Sequence, residues 1–98
     1  MSDRNAIITA ITQHIGKEGG GLSVWYVGIA SNPKKRLFSD HNVCEVNGKW
    51  IHHEAASHTV ARAAEQYFID RGSKGGPGGG DEQTKYVYAY KVTAETRE

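Results

Sequence analysis

Unlike chemistries are crowded between Tyr26 and His41, in the run Tyr26-Val27-Gly28-Ile29-Ala30-Ser31-Asn32-Pro33-Lys34-Lys35-Arg36-Leu37-Phe38-Ser39-Asp40-His41. An apolar stretch ends there, an Asn-Pro pair follows, and three cations come in succession. Asparagine caps helices and proline suits the first helical turn, so Lys34, Lys35 and Arg36 stand at a helix start, where free backbone N–H groups favour anions. Arg36 adds a planar donor fork that matches a phosphodiester better than an ammonium does. On charge pattern alone, a solvated basic helix face is the simpler account. Glu65 sits in the middle of a later helical stretch, bordering its buried side, one turn after Ala61 and one turn before Ile69. A carboxylate so placed either pairs with a cation, here Arg62 or Arg71, or holds a metal.

Those side chains need elements to hold them. Ile7, Ile8, Ile11 and Ile15 recur at helical spacing behind Ser2 or Asp3 as N-cap, which predicts a helix over about 4–15 that stops at Gly16. Three glycines then break the chain before Leu-Ser-Val-Trp-Tyr-Val-Gly-Ile, which reads as a strand over 22–29, buried on both faces and central in the sheet. Asn32 and Pro33 open a helix over 33–41 that turns Leu37 and Phe38 inward. An Asn-Gly pair between extended residues suggests a hairpin over 45–53. The alanine-rich segment 55–71 is a helix ended by Gly72, and Gly72 to Gly80 is a loop. Alternation over 85–92 puts Tyr86, Tyr88, Tyr90 and Val92 on one face of a last strand. The expected class is α+β: a small antiparallel sheet, with 22–29 and 85–92 as neighbours, packed with helices.

A chain of 98 residues has room for one small domain. At 38% hydrophobic and 23% charged residues it should fold, and a net charge of +1 confines any polyanion site to a local patch. The single Cys44 cannot form an internal disulfide, which with the polar start suits a soluble cytoplasmic protein. Cys44, His52, His53 and His58 do not have zinc-site spacing, and Gly75 to Gly80 lacks the Gly-Lys-Ser/Thr of a P-loop. Trp25 and Trp50 read as packing residues rather than base-stacking platforms.

Read together, these segments resemble the GIY-YIG nuclease superfamily. Tyr26-Val27-Gly28 is similar to its second signature, Arg36 falls ten residues after Tyr26, and His41 follows about one turn later. Ala64-Glu65-Gln66-Tyr67-Phe68-Ile69 looks like the family's metal-binding helix. The resemblance covers about residues 22–80 and implies that the chain, 1–98, is one GIY-YIG-like domain. The first Gly-Ile-Tyr signature is not evident upstream, nor is the asparagine expected after a proline beyond the glutamate. The C-terminal Tyr86-Val87-Tyr88-Ala89-Tyr90 could supply the neighbouring strand, with one tyrosine reaching the site. Asp40, not His41, holds the fourth place after Arg36, a rotation of about 100° on a regular helix.

What the resemblance implies is divalent-metal-dependent hydrolysis of nucleic-acid phosphodiesters, of DNA rather than RNA. Glu65 would hold one Mg²⁺ or Mn²⁺, and Lys34, Lys35 and Arg36 would bind substrate, with Arg36 at the scissile phosphate. Tyr26 or Tyr88 would orient or deprotonate the attacking water, with His41 as hydrogen-bond partner or proton shuttle. A tyrosine of pKa near ~10 is a weak base unless a cation lowers it. Two other readings stand beside this one. A degenerate module of the same fold would grip nucleic acid or protein without cutting. A small subunit would instead pair its last strand with a partner protein or a second copy.

Overall fold

Asp3 caps the first helix, its carboxylate accepting the Ala6 N–H at 2.8 Å. α1 (Arg4–Glu18) buries Ile7, Ile11 and Ile15, one residue per turn on a single face. It runs past Gly16 and ends where Gly19, at φ 88°, donates its N–H to Ile15 O at 2.7 Å. The left-handed conformation that closes a helix is available at Gly19, whereas Gly16 is left in helical geometry. The computed structural model describes residues 3–44, 46, 48–75, 84–94 and 96.

A 3₁₀ turn, Leu22–Val24, takes the front of the expected first strand, and β1 is Trp25–Ala30. α2 (Pro33–Lys35) starts under the Asn32 cap and passes into a π-helical turn, Arg36–Asp40. β2 (Trp50–Glu54), α3 (His58–Asp70) and β3 (Tyr86–Lys91) complete the chain. The sheet is antiparallel in the order β1-β3-β2. The expected neighbours, the two longer strands, do pair. The central strand is β3, not β1, because β2 joins the far edge of β3. The stretch expected as a hairpin over 45–53 supplies β2, which pairs with β3, after a turn in which Gly48 donates its N–H to Cys44 O at 2.7 Å; Glu45 and Asn47 of the expected hairpin lie outside the described residues. Most of the expected glycine loop, 76–80, lies outside them too. On the outer edge of β1, Lys74 forms a parallel bridge with Tyr26.

Antiparallel register sorts the side chains into two layers. Trp25 and Val27 share a face with Val87 and Ala89, and α1 and α3 cover it with Ile7, Ile11, Ala61, Ala64 and Phe68. Tyr26, Gly28 and Ala30 share the other face with Tyr86, Tyr88 and Tyr90, and Leu37 and Val43 pack there. The tyrosine ladder is thus under the α2 segment. Trp25, wholly buried, donates its indole N–H to Gly19 O at 3.0 Å, which closes the glycine turn over the core.

Ser57 accepts the Val60 N–H at 3.2 Å and sets the start of α3, three residues after the expected boundary. Ser57→Ala is expected to lower stability by about 1 kcal/mol, read by urea unfolding, since one helix-end donor then has no side-chain acceptor. Among the described residues no helix is long and apolar enough to cross a membrane.

Candidate active site

Tyr88 is where the elements meet. It lies opposite Gly28 in the β1–β3 register, and a Cβ built on Gly28 would fall 2.5 Å from its hydroxyl and 2.6 Å from Cζ. The tyrosine ring therefore lies across β1 in the space that any side chain at Gly28 would fill. A glycine in an extended strand often marks such a close approach. Tyr26, one register step away, stacks on Tyr90 at 5.2 Å and on Tyr88 at 6.3 Å between ring centroids.

The helical segment after Pro33 supplies the partners. The His41 N–H bonds to Arg36 O at 2.9 Å, five residues back, closing the π turn. That wider turn absorbs the extra residue between Arg36 and His41, so both side chains reach Tyr88 although their spacing is wrong for a regular helix. His41 Nε2 is 2.8 Å from the Tyr88 hydroxyl, and its Nδ1 is 3.0 Å from the hydroxyl of Tyr90. The Arg36 guanidinium lies within hydrogen-bonding reach of the Tyr88 hydroxyl, and this contact raises the arginine pKa from its ordinary value. Arg36 also meets Asp40 at 3.4 Å while keeping 48% of its side chain exposed. It is the most exposed member of the cluster.

Glu65 comes from the helical layer on the other face. It occupies the buried stripe of α3 with Ala61, Ala64 and Phe68 and is only 3% exposed, deeper than a border position. Burial pushes its pKa up to about 7, and the nearby charges of Arg62 and His58 oppose the shift. No ion pair to Glu65 is found among the described residues. Its charge is felt at Tyr88, whose pKa is pushed up to about 12, first by burial, then by Tyr26, with Glu65 adding to the rise and Arg36 working against it. Tyr26, His41 and Tyr88 are therefore one contact cluster with Arg36 in reach of it, whereas Glu65 lies in the layer on the other face and is not brought into contact with them, bearing on Tyr88 through charge alone. Lys34 and Lys35 are exposed on α2; the Lys35 N–H donates to the Asn32 side chain at 3.2 Å, and burial first, with the charge of Lys34 after it, lowers the pKa of His52.

Among the described residues no three His, Cys, Asp or Glu side chains gather in a way that could hold an ion. A lone buried carboxylate fits an ion that keeps most of its waters, such as Mg²⁺ or Mn²⁺, and does not fit a fully protein-ligated zinc.

Tyr90 belongs to the cluster too, where the sequence reading expects one tyrosine of the 86–90 ladder at the site and names Tyr88. The signal was present in the period-two alternation, which puts residues 86, 88 and 90 on one face, but the register that sets Tyr90 against Tyr26 is not local information. Scanned against protein-family models, curated proteins and solved structures, the chain gives no match in any of the three comparisons.

Proposed function

We propose that the chain is a divalent-metal-dependent endonuclease of GIY-YIG type, with the strand that would carry the first signature placed at the end of the sequence instead of the start. One observation carries the reading: Tyr88, on the strand paired with Tyr26-Val27-Gly28, is held between Arg36 and His41. A tyrosine strand beside Tyr-Val-Gly is what the resemblance asks for and what the upstream sequence lacks. Scattered surface residues would not share a hydroxyl.

Each residue then has a task. Arg36, half exposed and in reach of Tyr88, binds the scissile phosphate and offsets charge growing on its oxygens. Lys34 and Lys35 hold neighbouring phosphates, through contacts that weaken with salt. Tyr26 covers His41, at 4.7 Å between rings, and orients the attacking water beside Tyr88. The Tyr88 oxygen takes the water proton as its own proton passes to His41 Nε2. The water oxygen bonds to phosphorus, the bond to the leaving oxygen breaks, and that oxygen takes a proton from solvent. Glu65 would hold the divalent ion, which would supply Lewis-acid charge for the phosphoryl transfer.

The test is cleavage of labelled single- and double-stranded DNA and RNA in Mg²⁺, Mn²⁺ or chelator. The expected result is metal-dependent cleavage of DNA, reduced about 10²-fold by Arg36→Ala. Binding that ignores chelator, with no cleavage of any substrate, would sink the enzyme and leave a nucleic-acid clamp.

A further inference from the structure

His41 stands between two tyrosines, and a neutral imidazole carries one N–H and one bare nitrogen. Its two neighbours must therefore play opposite parts. If His41 donates from Nε2, then Tyr88 accepts and Tyr90 donates; if it donates from Nδ1, then Tyr90 accepts and Tyr88 donates. Hydrogen-bond accounting separates the two. Tyr88 is 1% exposed, and among the described residues its hydroxyl is hydrogen-bonded to His41, with the Arg36 guanidinium in reach. Arginine has no acceptor. If Nε2 carried the proton, the Tyr88 O–H would be buried with nothing to receive it, which is the costly case. With Nε2 bare, the Tyr88 oxygen keeps its lone pairs toward Arg36, Tyr88 O–H donates to Nε2, and Nδ1–H donates to Tyr90. Every link of that chain points the same way, and aligned hydrogen bonds polarise and strengthen one another.

We propose that Tyr90 is a positioning residue: its hydroxyl oxygen accepts the Nδ1–H of His41 and holds the ring as the Nδ1-protonated tautomer, leaving Nε2 to accept from Tyr88. Tyr90 is wholly buried and its ring lies 4.8 Å from that of His41, so it fixes the plane of the imidazole as well as its proton. Tyr26 on β1 also packs on His41, and Arg36 and Asp40 lie on its own turn. The tautomer stands independently of the reaction. Its consequence for catalysis rests on the nuclease reading: a bare Nε2 is what allows His41 to receive the Tyr88 proton.

Long-range ¹H–¹⁵N correlation of ¹⁵N-histidine-labelled protein at pH 8 reads the tautomer directly, with His41 assigned by its loss in His41→Gln. The wild type is expected to show His41 protonated at Nδ1 and bare at Nε2. In Tyr90→Phe, with folding checked by thermal unfolding, the Nε2-protonated form should become populated. Cleavage should fall about tenfold with an unchanged Mg²⁺ midpoint, the scale on which outer partners of functional histidines act. A wild-type His41 protonated at Nε2 overturns the proposal without any variant, and so does a tautomer that Tyr90→Phe leaves untouched. Absence of cleavage by the wild type, with the tautomer as expected, overturns the nuclease reading and leaves the Tyr90 assignment standing.

Discussion

Glu65→Gln is expected to abolish metal-dependent cleavage, a loss of about 10³-fold or more, while making the metal-free protein more stable at pH 8. The two effects share one cause. Glutamine keeps the shape of the side chain and removes the charge that α3 buries on its apolar stripe. The carboxyl titrates near its ordinary value of 4.5 when unfolded and at about 7 when folded. Raised in this way, it contributes stability that is complete below the unfolded value and gone once the pH has risen through 7, because above 7 folding must bury the anion. The wild type should therefore lose up to about 3 kcal/mol between pH 4.5 and pH 8 through this group, and the Gln variant should not. Mg²⁺ should restore part of that loss in the wild type at pH 8 and leave the variant unmoved, since a ligand stabilises only the state that binds it. Urea unfolding at the two pH values, with Mg²⁺ or chelator, measures all four quantities. Equal pH 8 stabilities for wild type and variant, with no response to Mg²⁺, would refute a buried metal-binding carboxylate.

Gly28→Ala should be the most damaging small substitution on the other face of the sheet. Its Cβ would stand well inside van der Waals contact with the Tyr88 ring and hydroxyl, at 2.5–2.6 Å. Tyr88 cannot step aside without leaving His41 and Arg36, and overpacking of this kind typically destabilises by about 1–3 kcal/mol. With the tyrosine displaced, the proton path to His41 is broken, and cleavage is expected to fall about 10³-fold, within the range of general acid–base contributions. Gly16→Ala is the control. That glycine lies inside α1 with nothing within 4 Å of a built Cβ, so alanine should stabilise by about 0.5–1 kcal/mol through helix propensity alone. Two glycine-to-alanine changes of opposite sign, followed by unfolding and cleavage, separate a packing role from a conformational one. A Gly28→Ala protein with wild-type stability and activity would show that Tyr88 does not depend on the missing side chain.

Sequence by itself determined the parts of this protein whose causes are local. The isoleucine period made α1, Asp3 and Ser57 capped their helices, Asn32-Pro33 opened α2, and alternation made β3 a strand, all through contacts within a few residues. Local chemistry also marked Arg36 and Glu65 as unusual. It placed the end of α1 at Gly16 rather than Gly19 because either glycine can stop a helix, and only the Trp25 indole bound to Gly19 O shows which turn the core requires. Tertiary structure decided the rest. That β3 is central depends on β2 finding its far edge, a pairing between residues distant in sequence. Which tyrosine meets His41, and that Tyr90 meets it from the other side, depends on register, where one step would turn every side chain to the opposite face. The five-residue spacing from Arg36 to His41 looked like a misfit by the rule of a regular helix, and it is accommodated because the backbone widens into a π turn over the sheet. The depth of Glu65 follows from how α3 rotates against α1 and the sheet, and its raised pKa follows from that depth. Local propensities select elements, while burial and proton affinity depend on what the assembled layers exclude from water.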